Sequence, residues 1–275
     1  MKKIIKTVAA LSILSLALIV SGCKKKSAEP DNGNGGSSYV YKEFSVSSNT
    51  KVCFSPGNLR YMPSTNTWIF ADNQYDYIGG TNSNISSSYE GWIDLFGWGT
   101  GNNPTNHSAN GDDYNIFSDW GNNTIKNGGG YNWRTLTKDE WVYLFDIRNT
   151  TSGTRYVKAV LNGVRGVILL PDNWDSSTYS FNNINDGCAQ FDKNIISLSD
   201  WINILEINGA VFLPTAGCRC NTSVNQFGSY GYYWSSECTL VDNAYYVIFG
   251  NNYLGYENCN NRSYGMCVRL VLSIE

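Results

Sequence analysis

From Tyr39 onward the chain alternates apolar and polar positions in short runs that turn over every few residues. In "YKEFSVSSNTKVCFSPGNLRYMPSTNTWIFA" the apolar, β-prone positions are Phe44 and Val46, Val52 and Phe54, Leu59 and Tyr61, then Trp68 and Phe70. Turn residues separate them at Ser48-Asn49, Pro56-Gly57 and Ser64-Thr65-Asn66. Period-two alternation between such breakers predicts successive short strands. Helical spacing emerges in two places. Thr137-Lys138-Asp139-Glu140 has the form of a capping box, followed by Trp141, Leu144 and Phe145 on one face. A second helix is predicted to start at Ser197 or Ser199, bury Trp201, Ile204 and Leu205, and stop at Gly209. Strand patterns follow each helix, in "GVILLP" (Gly166 to Pro171) and "GAVFLPTAG" (Gly209 to Gly217). Two main helices among many short strands predict an α+β fold.

Between Gly79 and Asn132 the pattern is loop-like, rich in Gly, Asn and Ser, yet it carries Trp92, Phe96, Trp98, Phe117 and Trp120. A disordered segment does not carry so many aromatics, so this stretch is expected to be an ordered loop pinned to the core. The final residues Met266, Val268, Leu270 and Leu272 alternate as a closing strand. No second linker interrupts the chain after Tyr39, and about 235 residues suffice for one large core. The expected layout is one domain over 39–275: a β region at 39–80, aromatic-pinned loops at 80–132, and the rest of the core at 133–275.

The N-terminus has a different character. A basic start (Lys2, Lys3) precedes an apolar run from Val8 to Val20, the layout of an export signal and too short for a comfortable membrane span. The run ends in Val20-Ser21-Gly22-Cys23, which resembles a bacterial lipobox. Residues 1–22 then read as the signal peptide and Cys23 as the lipidated first residue of the mature protein. More than one acyl chain on it anchors a protein stably. Residues 23–38 read as a flexible polar linker.

Composition narrows the chemistry. Aromatics make up 14% of the chain, charged residues 16%, and the net charge is -3, which excludes the basic face that nucleic-acid binding requires. One histidine, His107, lies in a loop-like context, "NNPTNHSANGDD", so histidine-based nucleophilic catalysis would rest on it alone. The carboxylate pairs Asp112-Asp113 and Glu237 with Asp242 fit solvated turns as well as a glycosidase. Setting Cys23 aside leaves Cys53, Cys188, Cys218, Cys220, Cys238, Cys259 and Cys267. Their number is odd, so at least one is free or intermolecular. Cys218 and Cys220 share one face of an extended segment. No CxxC spacing and no histidine cluster points to a metal, so no metal or cofactor is expected.

"NWRTLTKDEWVYLF" (Asn132 to Phe145), "GAVFLPTAGCR", "GYYWSSE" and the terminal "GMCVRLV" together resemble the Fibrobacter succinogenes major paralogous domain. That group has the C-type-lectin-like fold and includes many lipoproteins of gut Bacteroidetes. Trp133-Arg134 and Glu140-Trp141 match its usual signature, while Thr135-Leu136-Thr137 departs from its L-P-T and Trp234-Ser235-Ser236-Glu237 lacks its Thr. The resemblance runs from about Trp133 to the end.

A fold hosts several functions, and the resemblance implies three. Formylglycine-generating oxidation uses a copper-binding cysteine pair with four residues between, beside "RSY"; here Arg262-Ser263-Tyr264 is present, but Cys259 and Cys267 have seven residues between them. Calcium-dependent sugar binding uses E-P-N or Q-P-D and W-N-D, absent from the C-terminal half, where Asp172 to Asp175 is the nearest cluster. The third use is metal-free binding by a variable face, as in proteins diversified by adenine-miscopying retroelements. Asn codons then yield Tyr, Ser, Cys, Gly and others but never Lys, Glu, Gln, Met or Trp, and no Lys follows Lys193.

Independently of that genetics, "AYYVIFGNNYLGYENCNNRSY" (Ala244 to Tyr264) has the vocabulary of a binding face. Tyr gives large contact area at low entropy cost, and Asn, Ser and Gly give adaptable hydrogen bonds. The candidate ligand-binding residues are Tyr245, Tyr246, Ile248, Asn251, Asn252, Tyr253, Tyr256, Asn258, Asn260, Asn261 and Tyr264. The expectation is an exported, non-enzymatic lipoprotein of the outer membrane, with the cell surface as its expected side. It binds a protein or glycan ligand outside the cell and touches the membrane through its lipid. The alternatives are a formylglycine-type or other enzyme, or a structural envelope protein.

Overall fold

The computed structural model describes residues 40–239 and 242–274. The predicted signal segment, the lipidation site at Cys23 and the linker lie outside them. The fold is mixed α+β, dominated by sheet. Strands β1 (Phe44–Ser45) and β2 (Lys51–Phe54) form a three-stranded sheet with the last strand of the chain, which pairs antiparallel to β2 from Val271↔Phe54 to Ile274↔Lys51. The two ends of the described chain thus close on each other. A hairpin of β3 (Leu59–Met62) and β4 (Thr67–Phe70) follows, turned by a 3₁₀ segment that ends in left-handed Asn66.

The predicted loop from 79 to 132 is ordered by its aromatics. Phe96, Trp98 and Trp120 are buried, the Trp98 ring meets Phe117 at 4.9 Å and 40°, and single bridges such as Tyr61↔Ile93 and Trp68↔Ile125 tie the segment to the sheets.

Helix α1 (Lys138–Val142) continues as a π-turn over Tyr143–Ile147 and buries Trp141, Leu144 and Phe145. Its capping box forms as read: the Thr137 hydroxyl accepts from the Glu140 N–H at 3.1 Å, and the Glu140 carboxylate accepts from the Thr137 N–H at 2.9 Å. Thr137→Ala is expected to cost about 1 kcal/mol in equilibrium unfolding; a loss below a few tenths would show that the cap is redundant. Helix α2 (Leu198–Asp200) is capped by Ser197 and runs on through Trp201–Leu205 and Glu206–Asn208 to left-handed Gly209. Trp201 and Leu205 are buried, whereas Ile204 is only half-buried.

Behind the helices lies a four-stranded sheet. β5 (Tyr156–Leu161) and β6 (Val164–Leu169) are antiparallel, β7 (Ile195–Ile196) adds parallel to β5, and β8 (Val211–Pro214) adds antiparallel to β6. Val167, Leu169, Val211 and Leu213 face a central cluster with Trp141 and Phe145, while Ile168, Phe212 and Val157 face a second one with Trp201 and Leu205. Burial on both faces explains the nearly continuous apolar runs of these strands. The remaining strands are β9 (Cys218–Cys220), β10 (Ser223–Asn225), β11 (Gly231–Cys238), β12 (Asn243–Gly250), β13 (Tyr253–Asn261) and β14 (Val271–Ile274).

The closing strand departs from its expected course. Met266 lies in a stretch of isolated bridges rather than a sheet, and the paired strand begins only at Val271. Met266, Val268 and Leu270 pack into a third cluster with Trp234 and Tyr246, while Cys267 and Val271 pack into the central one. The segment is a partition between two cores. The alternation of Met266, Val268, Leu270 and Leu272 registers one of its two buried sides and not the other.

Candidate ligand-binding face

β11, β12 and β13 form an antiparallel sheet in that order, with Tyr232↔Ile248 and Trp234↔Tyr246 on one side of β12, and Tyr246↔Asn258 and Ile248↔Gly255 on the other. Side chains alternate along strands, so the predicted site residues divide between two faces. A bulge interrupts the β12–β13 register between Tyr246 and Ile248, where Tyr256 and Glu257 form the extra pair.

One face gathers tyrosines. Tyr230 lies 6.2 Å from Tyr232, and Tyr232 lies 5.9 Å from Tyr246, ring centroid to centroid. Trp234 meets Tyr246 edge-on at 6.0 Å. The hydroxyl of Tyr232 donates to Gln226 Oε1, and that of Tyr253 donates to Asn258 Oδ1 at 3.0 Å. Gly255 makes the second contact possible, since a Cβ there would stand 2.2 Å from Asn258 Nδ2 and 2.8 Å from the Tyr253 hydroxyl. Gly250 is bare for the same reason: a Cβ would reach the Tyr230 ring at 2.4 Å. Tyr264 and the strand cysteines Cys218 and Cys220 complete the face. Tyr264 is raised above its ordinary pKa first by neighbouring Cys220, then by burial. Burial pushes Tyr246 up to about 12 and Cys218 to about 11, so phenol and thiol stay neutral at physiological pH. Tyr232 and Tyr246 form the buried floor, Tyr230, Ile248 and Tyr264 are half-buried, and Tyr253 is the most exposed, at 44%.

The opposite face packs over α1. Tyr245 sits beneath the Lys138 ammonium, 5.5 Å from ring centroid, and Tyr256 stacks on Phe145 at 6.0 Å and 7°. Glu257 pairs with Lys138 at 3.4 Å. Asn251 and Asn252 form the hairpin tip. Asn251 Oδ1 accepts from the Phe191 N–H at 3.3 Å, and Asn252 takes left-handed φ +60°. At the other end, Asn260 Oδ1 accepts from the Asn261 N–H at 2.8 Å and Asn261 Oδ1 from the Ser263 N–H at 2.9 Å. Of the eleven predicted residues, the structure brings Tyr246, Ile248, Tyr253, Asn258 and Tyr264 onto the tyrosine face. Tyr245 and Tyr256 turn away from it, and Asn251, Asn252, Asn260 and Asn261 occupy its ends.

Tyr230, Tyr232 and Gln226 belong to the face and were not among the predicted residues. The signal was present in "SYGYYWSSE": Tyr230, Tyr232 and Trp234 stand at period two.

The other motifs hold the fold together. Arg134 grips Glu140 with two hydrogen bonds of 2.7 Å. Trp133 Nε1 donates to Gly128 O, Trp234 Nε1 to Phe96 O, and Trp141 Nε1 to Trp234 O. Glu237 accepts from the Lys138 N–H at 2.8 Å, placing a carboxylate at the positive end of α1. Arg269 donates to Gln74 Oε1 at 2.6 Å within the core. Asp172, first of the "DNWD" residues, is bound by Ser45 and Arg148.

The remaining chemical candidates are dispersed. Cys259 is exposed, whereas Cys267 is wholly buried, with Asn58 Nδ2 donating to its sulfur at 3.5 Å. Burial holds the Cys267 thiol well above its ordinary pKa, and the two sulfurs cannot share one ion. Cys188 and Cys238 are exposed free thiols. His107 lies in an exposed loop, its Nδ1 3.0 Å from Thr105 O. Among the described residues, no three His, Cys, Asp or Glu side chains converge as metal ligands, and no helix is long and apolar enough to cross a membrane. No family model, curated protein or solved structure matches this chain.

Proposed function

We propose that this chain is a ligand-binding module without catalytic chemistry, a C-type-lectin-like domain displayed from an exported lipoprotein. The observation that carries the reading is the convergence of Tyr230, Tyr232, Tyr246, Tyr253 and Tyr264 with Asn258 on one face of the β11–β13 sheet. Rigid strands present the rings, two of the tyrosines are packed into the floor, and the exposed edge is polar and aromatic. Such a surface binds by area and adaptable hydrogen bonds, which suits a protein or glycan outside the cell. The bonds of Arg134 to Glu140, of Trp141 to the Trp234 carbonyl and of Glu237 to the start of α1 support the family resemblance, because these matching residues help to hold the domain together.

The test is a screen of the detergent-solubilised full chain on printed glycans and purified extracellular proteins. Tyr253→Ala with Tyr264→Ala is expected to weaken every specific signal at least tenfold, the range for aromatic hot spots, while Tyr245→Ala on the opposite face leaves it intact. The reverse pattern overturns the assignment of the face. Diversification predicts, in sequences of this locus across one bacterial population, changes confined to adenine-derived codons between Cys218 and Tyr264; a uniform locus rejects it. Peptide mass mapping is expected to show Cys23 as the acylated N-terminus, and a Cys23 found in a disulfide rejects the anchor.

A further inference from the structure

Lys158 stands in the middle of β5, fully buried, where a charged side chain is rarely tolerated without a partner. Among the described residues no carboxylate lies within ion-pair distance of it. Its ammonium is instead surrounded by four backbone carbonyl oxygens: Gly187 at 2.6 Å, Ala189 at 3.2 Å, Gly250 at 2.7 Å and Tyr253 at 2.9 Å. The Phe191 ring closes the cage at 5.7 Å.

These oxygens come from two separate segments. Gly187 and Ala189 belong to the loop before β7; Gly250 and Tyr253 flank the tip of the β12–β13 hairpin. The segments are also joined by the Asn252 N–H donating to Ala189 O at 3.4 Å and by the Phe191 N–H donating to Asn251 Oδ1. Tyr253, the most exposed tyrosine of the binding face, therefore contributes its own carbonyl to the cage.

Four carbonyl dipoles aimed at one point repel one another unless a cation sits between them. Neutral oxygens without carboxylates are the donor set that replaces the hydration shell of a monovalent ion, whereas calcium sites draw on carboxylates. We propose that Lys158 is a built-in cation: it occupies a monovalent-ion cage and thereby fixes the hairpin tip that presents Tyr253. As a positioning residue it supplies from within the chain what would otherwise have to be taken from solution. The significance of the clamp for ligand binding rests on the reading given above; the cage itself does not.

The experiment is hydrogen exchange on the full chain carrying Lys158→Ala, measured in choline, sodium, potassium and n-propylammonium chloride. The amides of Phe191 and Asn252, both bonded across the two segments, report the clamp. In choline their protection is expected to fall about ten- to a hundredfold, the scale of lost charge-assisted hydrogen bonds. Potassium, or propylammonium, which restores the deleted stem and charge together, is expected to return most of it, with choline and sodium less effective. Lys158→Met keeps the stem without the charge and serves if the alanine variant does not fold; it is expected to lose protection at the same amides. Full protection in Lys158→Met, or a loss in Lys158→Ala that neither potassium nor propylammonium reverses, overturns the proposal. Because no ligand enters the measurement, its failure is separate from a failure of the binding-face assignment.

Discussion

Asp172→Asn is expected to destabilise the domain by about 3–5 kcal/mol, the cost of stranding one member of a buried ion pair. Arg148 is wholly buried and donates to Asp172 Oδ1 at 3.0 Å. Its remaining donors reach backbone carbonyls of Leu144, Arg155 and Leu170. Burial lowers its pKa to about 10 against the opposing pull of Asp172, so the guanidinium stays charged at neutral pH and needs its counter-ion. An amide is a poor substitute. Ser45 N–H and hydroxyl also donate to the carboxylate, at 2.9 and 2.6 Å, so the Nδ2 of an Asn would have to face a donor. The contact ties the first strand, the end of the α1 segment and the end of β6 together. Urea unfolding at neutral pH measures the loss. Arg148→Met is expected to cost less, because Asp172 keeps some contact with solvent. The double variant is expected to be more stable than the sum of the single losses implies. A single Asp172→Asn loss below about 1 kcal/mol would mean that the three carbonyls alone satisfy Arg148.

Much of this architecture was legible in the sequence, and the exceptions have two causes. Helices announced themselves through local chemistry, the Thr137–Glu140 box and the Ser197 cap with Gly209. The early strands did so through alternation with turn residues between. What local pattern could not show was which neighbour occupies each face. Tyr245 and Tyr246 are adjacent in the chain and equal in type, yet one lies under Lys138 and the other forms the floor of the tyrosine face. The bulge at Tyr256 and Glu257 then brings Asn258 onto the face of Tyr253, a shift of parity that simple alternation cannot register. Buried cations were invisible for a different reason. Lys158, Arg148 and Arg219 are held largely by backbone carbonyls, which every residue possesses and no residue type advertises. The site was legible as a vocabulary of Tyr and Asn, not as a surface.

Tyr246→Ala and Tyr253→Ala separate the two roles that the tyrosines play. Tyr246 is packed between Tyr232, at 5.9 Å, and Trp234, at 6.0 Å, and belongs to the same cluster as Met266 and Leu270. Its removal opens a cavity next to the segment that partitions the two cores. The expected loss is about 3–5 kcal/mol, as for other large aromatic truncations, while Tyr246→Phe keeps the ring and is expected to cost under about 1.5 kcal/mol. Tyr253 has its ring at the exposed edge, with a hydroxyl bond to Asn258. Its truncation is expected to fall within about 0.5 kcal/mol of the parent stability and to act on binding instead. Paired denaturation and binding measurements on the two variants decide the matter. If Tyr253→Ala proved as destabilising as Tyr246→Ala, the face would be an extension of the core rather than a contact surface. If Tyr246→Ala left stability unchanged, the stacked rings would not be the floor that holds the exposed tyrosine in place. A contact surface built on strands needs both outcomes at once: a rigid inner row that cannot be removed, and an outer row that the fold does not need.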